Sequence, residues 1–536
     1  MRTLLVGLDA ACERVLVPLF ESGDLPNLAA VFEGGASGPL ESQVPPWTAS
    51  AWPSLYTGTN PGKHGVFGFL AFDGYDWDVV DASHVRERAL WEYLDEHDLR
   101  SVVVNVPVTH PPREFDGALV PGYAAPDPPD CHPEGLLDEI ESAVGPYRVY
   151  ADDEGGTTDD AEGTVADLCD LVALRGETFR YLADRYDPDF GFVQFQATDT
   201  VCHQLPETDA VRRVYGAVDD EVGEILDDCD PDVVVVASDH GIGPYERRVA
   251  VNEVLRRAGL VETTSRGSGM PTWATIREAD LRGRASGSGP LGRASARLVG
   301  AAARLGLSAQ RVGRLLGRLD LDDLALRHAP DSLLRAGSER VDFPNSVAYA
   351  RSRVECGVRI NLEGREPEGI VAPDEYEDVR DRVIDLLSAL ETPEGEPVFE
   401  TVARREAFFD GPESGRAVDV VAVPADYDSY VTTWLTDRVF PPTEDRLWDH
   451  KRDGVFAVAG DGVDADASVD GAHLFDVAPT VLATMGVPAA ERMDGRTLPP
   501  VSPAGERAYD SRADGERTVT TYDAVEDRLA DLGYLE

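Results

Sequence analysis

Short apolar runs alternate with amphipathic stretches along the first half of the chain. The apolar runs are Leu4 to Leu8, Ser101 to Val106, Phe190 to Phe195 and Val233 to Ala237. Between the last two, Ala210 to Asp228 has apolar residues at helical spacing and many acids on its other side. Strands that alternate with helices predict an α/β fold, with a mostly parallel sheet between two helical layers.

The chain has 536 residues, more than one hydrophobic core usually serves. Composition changes after Gly243, where 265–292 is rich in Gly, Ser and Arg and 294–324 is an Ala/Leu/Arg stretch with helical periodicity. We predict an α/β core over 1–245 and 345–505, an inserted helical cap over 246–344, and a C-terminal tail over 506–536 packed on the core. A surface helical pair that merely packs on the core explains the cap pattern equally well.

The formal net charge is −50, and lysine occurs only as Lys63 and Lys451. A surface dense in carboxylates stays solvated at molar salt, where the Debye length is about 3 Å and self-repulsion is weak. This composition predicts a halophilic protein, and an acidic face that recruits basic partners is the less favoured interpretation. Stable binding of nucleic acid is not expected for such a surface, although a local metal site could still accept a phosphate ester.

The six cysteines are scattered and form no Cys-x-x-Cys pair, which indicates reduced thiols. No apolar run approaches the length of a membrane helix, and the first strand begins directly after Met1 without a charged leader. We therefore expect a cytoplasmic protein without a membrane partner. The oligomeric state stays open.

Possible metal ligands follow several of the predicted strands. Asp9 follows the first strand, Asp199 the third, and Asp239 and His240 the fourth. His203 lies four residues after Asp199, which places both on one helical face. Because ligands bind at the carboxyl ends of strands in an open parallel sheet, these residues are expected to converge. Mixed nitrogen and carboxylate ligands suit zinc or manganese better than calcium or magnesium.

A threonine-containing segment lies between the first two groups. It contains Thr48, the pair Thr57-Gly58 nine positions later, and Pro61-Gly62-Lys63-His64-Gly65. This segment resembles the alkaline phosphatase superfamily, specifically its type I phosphodiesterase/nucleotide pyrophosphatase branch and archaeal and bacterial relatives predicted to be phosphohydrolases or phosphomutases. With the acidic composition, the resemblance predicts a haloarchaeal protein.

The resemblance extends in ordered motifs over roughly residues 1 to 243 and 345 to 500, including the run from Arg359 to Pro367. It implies an alkaline phosphatase-like α/β/α core that binds two divalent ions, zinc or possibly manganese in the cell. The implied ligands of one ion are Asp9, Asp239, His240 and Thr48, and those of the other are Asp199, His203 and His450.

His473 competes with His450 for the last ligand position. We favour His450 because the run from Trp448 to Gly454 precedes a strand in the manner of the family's last ligand. Asp476 is then interpreted as a helix N-cap. His64 is either a residue that supports the ligands or a turn histidine bonded to backbone, and the second interpretation is at least as good.

The implied reaction is hydrolysis of a phosphate ester, with Thr48 as a metal-activated nucleophile and a phosphothreonine intermediate. Nucleotide pyrophosphatases have an Asn twenty-one positions after the nucleophile, where this chain has Phe69. Nucleotide specificity is therefore open. Lys63, Arg359 or an arginine of the cap could supply the missing phosphate donor.

Other functions fit parts of the pattern. A phosphomonoesterase or a phosphomutase of the same superfamily is the nearest alternative. A sulfatase requires a Cys/Ser-x-Pro-x-Arg context, and the stretch after Thr48 has neither the Pro nor the Arg at those offsets. A non-catalytic metal-binding scaffold is the alternative of a different class.

Overall fold

The computed structural model describes residues 1–151, 161–206, 208–264, 340–442, 448–510 and 525. Most of the predicted cap, 265–339, lies outside these described residues, as does nearly all of the predicted tail after 510. The predicted domain bounds therefore stay predictions.

The strands are numbered in chain order. They are β1 (Thr3–Leu8), β2 (Ala36–Glu41), β3 (Leu70–Asp73), β4 (Asp76–Val79), β5 (Ser101–Val106), β6 (Gly117–Pro121), β7 (Phe190–Phe195), β8 (Val233–Ala237), β9 (Gly241–Pro244), β10 (Arg247–Ala250), β11 (Thr263–Thr264), β12 (Arg340–Val341), β13 (Ala348–Tyr349), β14 (Gly357–Ile360), β15 (Phe399–Arg404), β16 (Val420–Pro424), β17 (Ser429–Thr432), β18 (Trp448–Lys451), β19 (Asp453–Gly460), β20 (Ala489–Ala490) and β21 (Glu506–Arg507).

The α-helices are numbered in the same way. They are α1 (Glu13–Ser22), α2 (Pro26–Gly34), α3 (Thr48–Thr57), α4 (Pro61–His64), α5 (Leu90–Asp95), α6 (Leu136–Ala143), α7 (Ala161–Tyr186), α8 (Ala197–Gln204), α9 (Thr208–Cys229), α10 (Val251–Arg257), α11 (Tyr376–Ser388) and α12 (Val477–Thr484). No single helix in the described ranges is long and apolar enough to cross a membrane, and α1 and α2 reach that length and apolarity only together, across a bend of 108°.

A seven-stranded sheet forms the centre of the molecule, in the order β2-β19-β8-β1-β7-β5-β6. All of its strands run parallel except β19, which is antiparallel to both β2 and β8. The predicted mostly parallel sheet is confirmed, and the four predicted strands are β1, β5, β7 and β8. Every residue of these four strands is buried, which is why they are continuous apolar runs rather than alternating ones.

Helices cover both faces of this sheet. On one face, Thr3 hydrogen-bonds Thr484 of α12 through their hydroxyls at 2.9 Å, and Gly7 faces Trp52 of α3. A Cβ on Gly7 would lie 2.7 Å from the Trp52 ring, so only glycine admits this close approach. On the other face, Gly191 meets Phe179 of α7, against which α9 packs. The predicted three-layer arrangement is confirmed.

A smaller four-stranded sheet, ordered β13-β14-β16-β15, lies in the later part of the chain. Helix α11 packs on it, and Val358, Ile360, Val383 and Leu387 belong to a hydrophobic cluster separate from the main core. Residues of β10 and α10 join the same cluster, and β10 pairs in parallel with β17. The described part of 246–344 is therefore packed on this second sheet.

The run from Arg359 to Pro367 organises the second sheet around the buried carboxylate of Asp419. Arg365 donates to this carboxylate from both terminal nitrogens, at 2.6 and 2.7 Å. The Tyr376 hydroxyl donates at 2.6 Å, Arg405 at 2.8 Å and the backbone amide of Ile360 at 2.7 Å. Burial alone would raise the pKa of Asp419, but the bonds and charges of the arginines outweigh it and lower the pKa to about 2.

We predict that Asp419→Ala lowers the free energy of unfolding by about 3–5 kcal/mol, because the arginines around it lose their counter-charge. The folded pKa of about 2 lies below the ordinary 3.8, so the stabilisation is present above pH 4 and is lost as the pH falls toward 2. Urea unfolding at several pH values measures both effects. Asp381→Ala, which removes an exposed partner of Arg404, is the control and should change stability little. Equal losses for the two variants would contradict this role of Asp419.

Candidate metal centre

The elements of the large sheet bring the predicted ligands to one edge. Strands β8, β1 and β7 are neighbours, and their carboxyl ends lead to Asp239 and His240, to Asp9, and to α8 with Asp199 and His203. His450 lies on β18, opposite Ile242 of β9. Thr48 is the first residue of α3. All seven predicted residues therefore reach this edge, although His450 is far from the others in sequence.

One cluster forms around Asp9, Asp239 and His240, all fully buried. The Nε2 atom of His240 lies 3.2 Å from Asp239 Oδ2, 3.6 Å from Asp9 Oδ1 and 3.1 Å from Thr48 Oγ1. One ligand atom from each of the three residues falls within 4.8 Å of the others. The nucleophile candidate thus directly contacts this cluster.

A second cluster forms around Asp199, His203 and His450. Asp199 Oδ1 lies 3.1 Å from His203 Nε2 and 3.7 Å from His450 Nε2, and the two Nε2 atoms are 3.1 Å apart. The rings of His240 and His450 stack with centroids 3.8 Å apart, so the two clusters adjoin.

The same kind of hydrogen bond orients all three imidazoles. Nδ1 of His240 lies 3.0 Å from the Gly241 carbonyl, Nδ1 of His203 lies 3.1 Å from that of Trp448, and Nδ1 of His450 lies 3.0 Å from that of Pro46. A carbonyl only accepts, so each Nδ1 carries a proton and donates. Each Nε2 then faces the centre, the nitrogen that metal-binding histidines use when Nδ1 donates to the backbone.

Each of the three aspartates also presents to the centre one oxygen without a hydrogen bond. Asp9 Oδ1, Asp199 Oδ1 and Asp239 Oδ2 are buried and carry no hydrogen bond. Burial, and then the neighbouring carboxylates Asp239 and Asp199, raise the pKa of Asp9 well above its ordinary value, and burial raises that of Asp239 to about 6. Carboxylate oxygens outnumber the positive groups here, and against the effect of burial the neighbouring Asp199 raises the pKa of His203 to about 9, so these residues fit a pair of divalent cations.

A family model for type I phosphodiesterase/nucleotide pyrophosphatase matches residues 3–295. The chain belongs to this family. The resemblance to this branch of the alkaline phosphatase superfamily is therefore confirmed, and the family is one of phosphoester hydrolases. No individually curated protein matches the chain.

Solved structures with this fold include two enzymes. A phosphonoacetate hydrolase from Sinorhizobium meliloti 1021, in complex with phosphonoformate, matches with a TM-score of 0.52 and 15% identity over 89% of this chain and 94% of that one. The alkaline phosphatase PafA matches with a TM-score of 0.53 and 14% identity over 93% of this chain and 98% of that one. At these identities the likeness shows the fold, which confirms the predicted alkaline phosphatase-like core.

Side chains that sequence reasoning did not single out hold Asp9 in place. Its Oδ2 atom accepts hydrogen bonds from Trp52 Nε1 at 3.0 Å and Gln194 Nε2 at 2.7 Å, which turns Oδ1 toward His240. Trp52 lies one helical turn after Thr48 on α3. Gln194 is the one amide within the apolar strand β7, and that contrast could have marked it.

A buried arginine of the second sheet region also reaches the centre. Arg353 Nη1 lies 3.2 Å from Asp449 Oδ2, and Asp449 offers a ligand atom within 4.8 Å of those of His203 and His450. The guanidinium of Arg353 also lies 5.2 Å from the centroid of the Trp47 ring, next to Thr48. Periodicity could not predict this contact, because Arg353 belongs to a separate sheet region.

The predicted substrate-binding residues make contacts elsewhere. Lys63 Nζ donates to Asp494 Oδ1 at 2.6 Å and to the Arg492 carbonyl at 2.9 Å. Arg359 pairs with Glu366 at 2.8 Å, and Phe69 is fully buried with its ring edge-on to that of Tyr123. Their role in binding substrate stays a prediction, as does that of an arginine in 265–339, outside the described residues.

The competing histidine has a local role. The backbone amide of Phe475 donates to His473 Nδ1 at 3.3 Å, and the backbone amide of His473 donates to Asp476 Oδ2 at 3.0 Å. Together they form a capping box around the turn that leads into α12; Asp476 directly precedes α12 as predicted, but its side chain bonds the His473 amide instead of capping α12. His473 is thus occupied at a helix start, whereas His450 lies in the cluster.

We predict that the purified protein holds two divalent ions per chain, and that chelation lowers its thermal midpoint. Ions that bind only the folded chain stabilise it by about 4 kcal/mol at 1,000 times their dissociation constant. Elemental analysis and thermal unfolding with and without EDTA measure this.

Asp239→Ala should reduce the metal content. Asp219→Ala is the control, because this buried carboxylate only accepts hydrogen bonds from Asn27 and Leu28 and its loss should leave both ions bound. Unchanged metal content in Asp239→Ala would contradict the assignment.

Proposed function

We propose that this protein is a metal-dependent phosphohydrolase of the phosphodiesterase/nucleotide pyrophosphatase type, with Thr48 as its nucleophile. The observation that carries the proposal is the contact of 3.1 Å between Thr48 Oγ1 and His240 Nε2, which places a buried hydroxyl directly at the Asp9 cluster. Family membership supports the reaction class.

The start of α3 suits an anionic substrate. Thr48 is the first residue of this ten-residue helix, and a helix N-terminus carries partial positive charge. Phosphoryl oxygens bind well at such ends, where backbone amides point toward the ligand. A phosphoryl group in reach of Thr48 Oγ1 would therefore meet favourable charge from the chain itself.

Asp9, Asp239 and His240 would hold one ion beside Thr48, and Asp199, His203 and His450 would hold the other. Zinc suits this donor set, and manganese is the alternative. When bound, such ions lower the pKa of a nearby hydroxyl and neutralise charge on the entering and leaving oxygens. Thr48 Oγ1 would attack phosphorus, lose its proton and form a phosphothreonine as the leaving oxygen departs. Water would then hydrolyse the phosphothreonine and restore Thr48.

We also propose that the protein works in a salt-rich cytoplasm. The net charge of −50 and the scattered cysteines support this setting. Activity should therefore be measured at high ionic strength. From the composition, we expect the protein to unfold at low salt.

We predict that Thr48→Ala abolishes turnover, by about 10³-fold or more, while both ions stay bound, because it removes only the attacking oxygen. Hydrolysis of bis-p-nitrophenyl phosphate in high salt, with elemental analysis of the same sample, measures this. Thr48→Ser should keep part of the activity. Thr57→Ala is the matched control, since Thr57 lies on the same helix and bonds the Pro53 carbonyl at 2.6 Å. Turnover unaffected by Thr48→Ala would refute the nucleophile.

We predict that kcat/KM for bis-p-nitrophenyl phosphate exceeds that for p-nitrophenyl phosphate. The family comprises phosphodiesterases and nucleotide pyrophosphatases, whose substrates have a second ester or phosphoryl group on phosphorus. A panel of diesters, pyrophosphates, monoesters and phosphonates orders the substrate classes. A clear preference for the monoester would favour a phosphomonoesterase instead. Bound metal with no turnover of any member would favour the scaffold interpretation.

A further inference from the structure

His64 is a fully buried histidine outside the two metal clusters. It ends α4, and its Nδ1 accepts the backbone amide of Val66 at 3.3 Å. The imidazole therefore carries its proton on Nε2, which donates to the Ser54 hydroxyl at 2.8 Å. The Ser54 hydroxyl in turn donates to Gln43 Oε1 at 2.9 Å. One direction of donation thus runs from His64 to Gln43.

The same direction continues to the segment before Thr48. The amide of Gln43 donates to the Pro45 carbonyl at 3.1 Å and to the Ser50 hydroxyl at 2.6 Å. Ser50 donates to the Trp47 carbonyl at 3.1 Å. Gln43, Ser50, Ser54 and His64 are at most 2% exposed, so water does not compete for these bonds.

The segment Pro45–Trp47 links this chain of bonds to both metal clusters. Trp47 precedes Thr48, which contacts His240. The carbonyl of Pro46 accepts from Nδ1 of His450, which fixes the direction of that imidazole. A shift of these three residues would displace the attacking hydroxyl and a proposed metal ligand together.

We propose that His64 is a positioning residue, which acts through Ser54, Gln43 and Ser50 to hold Pro45–Trp47 and thereby the Thr48 hydroxyl. The inference rests on the proposed function of Thr48. Histidine suits this position because one imidazole supplies both the Nδ1 acceptor for the Val66 amide and the Nε2 donor for the Ser54 hydroxyl. Burial lowers the pKa of His64 to about 3, so this neutral form persists at working pH.

We predict that His64→Leu lowers kcat by about 10²-fold with KM little changed, because a misplacement near 1 Å costs about that much. Ser54→Ala, a smaller change on the same path, should lower kcat in the same manner and serves if His64→Leu does not fold. The double variant should be little worse than either single variant, because both break one path. His64→Gln, whose amide also donates, should restore most of the rate. Steady-state kinetics at saturating metal, on protein shown to be folded by circular dichroism, measure all four.

His110→Leu is the matched control, because it also removes a buried imidazole, and this one hydrogen-bonds the backbone of Asp130, which is no part of the His64 path. It should alter thermal stability and leave kcat near the wild-type value. Wild-type kcat in folded Ser54→Ala and His64→Leu would overturn the proposal, as would equal loss of kcat in His110→Leu or failure of His64→Gln to restore the rate. Activity retained by Thr48→Ala would instead overturn the proposed nucleophile, so the two failures are distinguishable.

Discussion

The metal centre depends on carboxylate oxygens and imidazole nitrogens that face one another at the carboxyl edge of three neighbouring strands. Carboxylate oxygens of Asp9, Asp199 and Asp239 are buried without hydrogen bonds, and three imidazoles held by backbone carbonyls turn their Nε2 atoms toward them. Such an arrangement is costly in a folded chain unless cations bind there. Backbone carbonyls hold the three imidazoles in this arrangement, and Trp52 and Gln194 hold Asp9. These contacts keep the ligand atoms together in spite of their mutual repulsion.

Much of this arrangement could be predicted from sequence. The four buried strands are long enough and apolar enough to be recognised, and residues after parallel strands converge for geometric reasons. Asp199 and His203 follow from helical spacing. Their grouping with His450 required the family resemblance, because β18 pairs with β9 through a contact that no local pattern encodes.

Other features depend on tertiary partners and could not be predicted. Arg359 and Lys63 have the chemistry of phosphate ligands, yet Arg359 pairs with Glu366 and Lys63 with Asp494. An arginine in sequence does not reveal which carboxylate it will meet. Arg353 shows the reverse case, since its approach to Asp449 and Trp47 arises only when the second sheet region packs beside the first. The path from His64 similarly joins side chains whose mutual orientation sequence alone does not supply.

The one antiparallel strand of the seven-stranded sheet, β19, has a consequence for the order in which the fold can form. It lies between β2, which leads toward Thr48, and β8, which leads to Asp239 and His240. A ribosome releases β2 and β8 long before residues 453–460 emerge. β2 and β8 therefore gain their shared neighbour only after residues 453–460 are made, and His450, which lies on β18 just before β19, joins the metal centre at the same late stage.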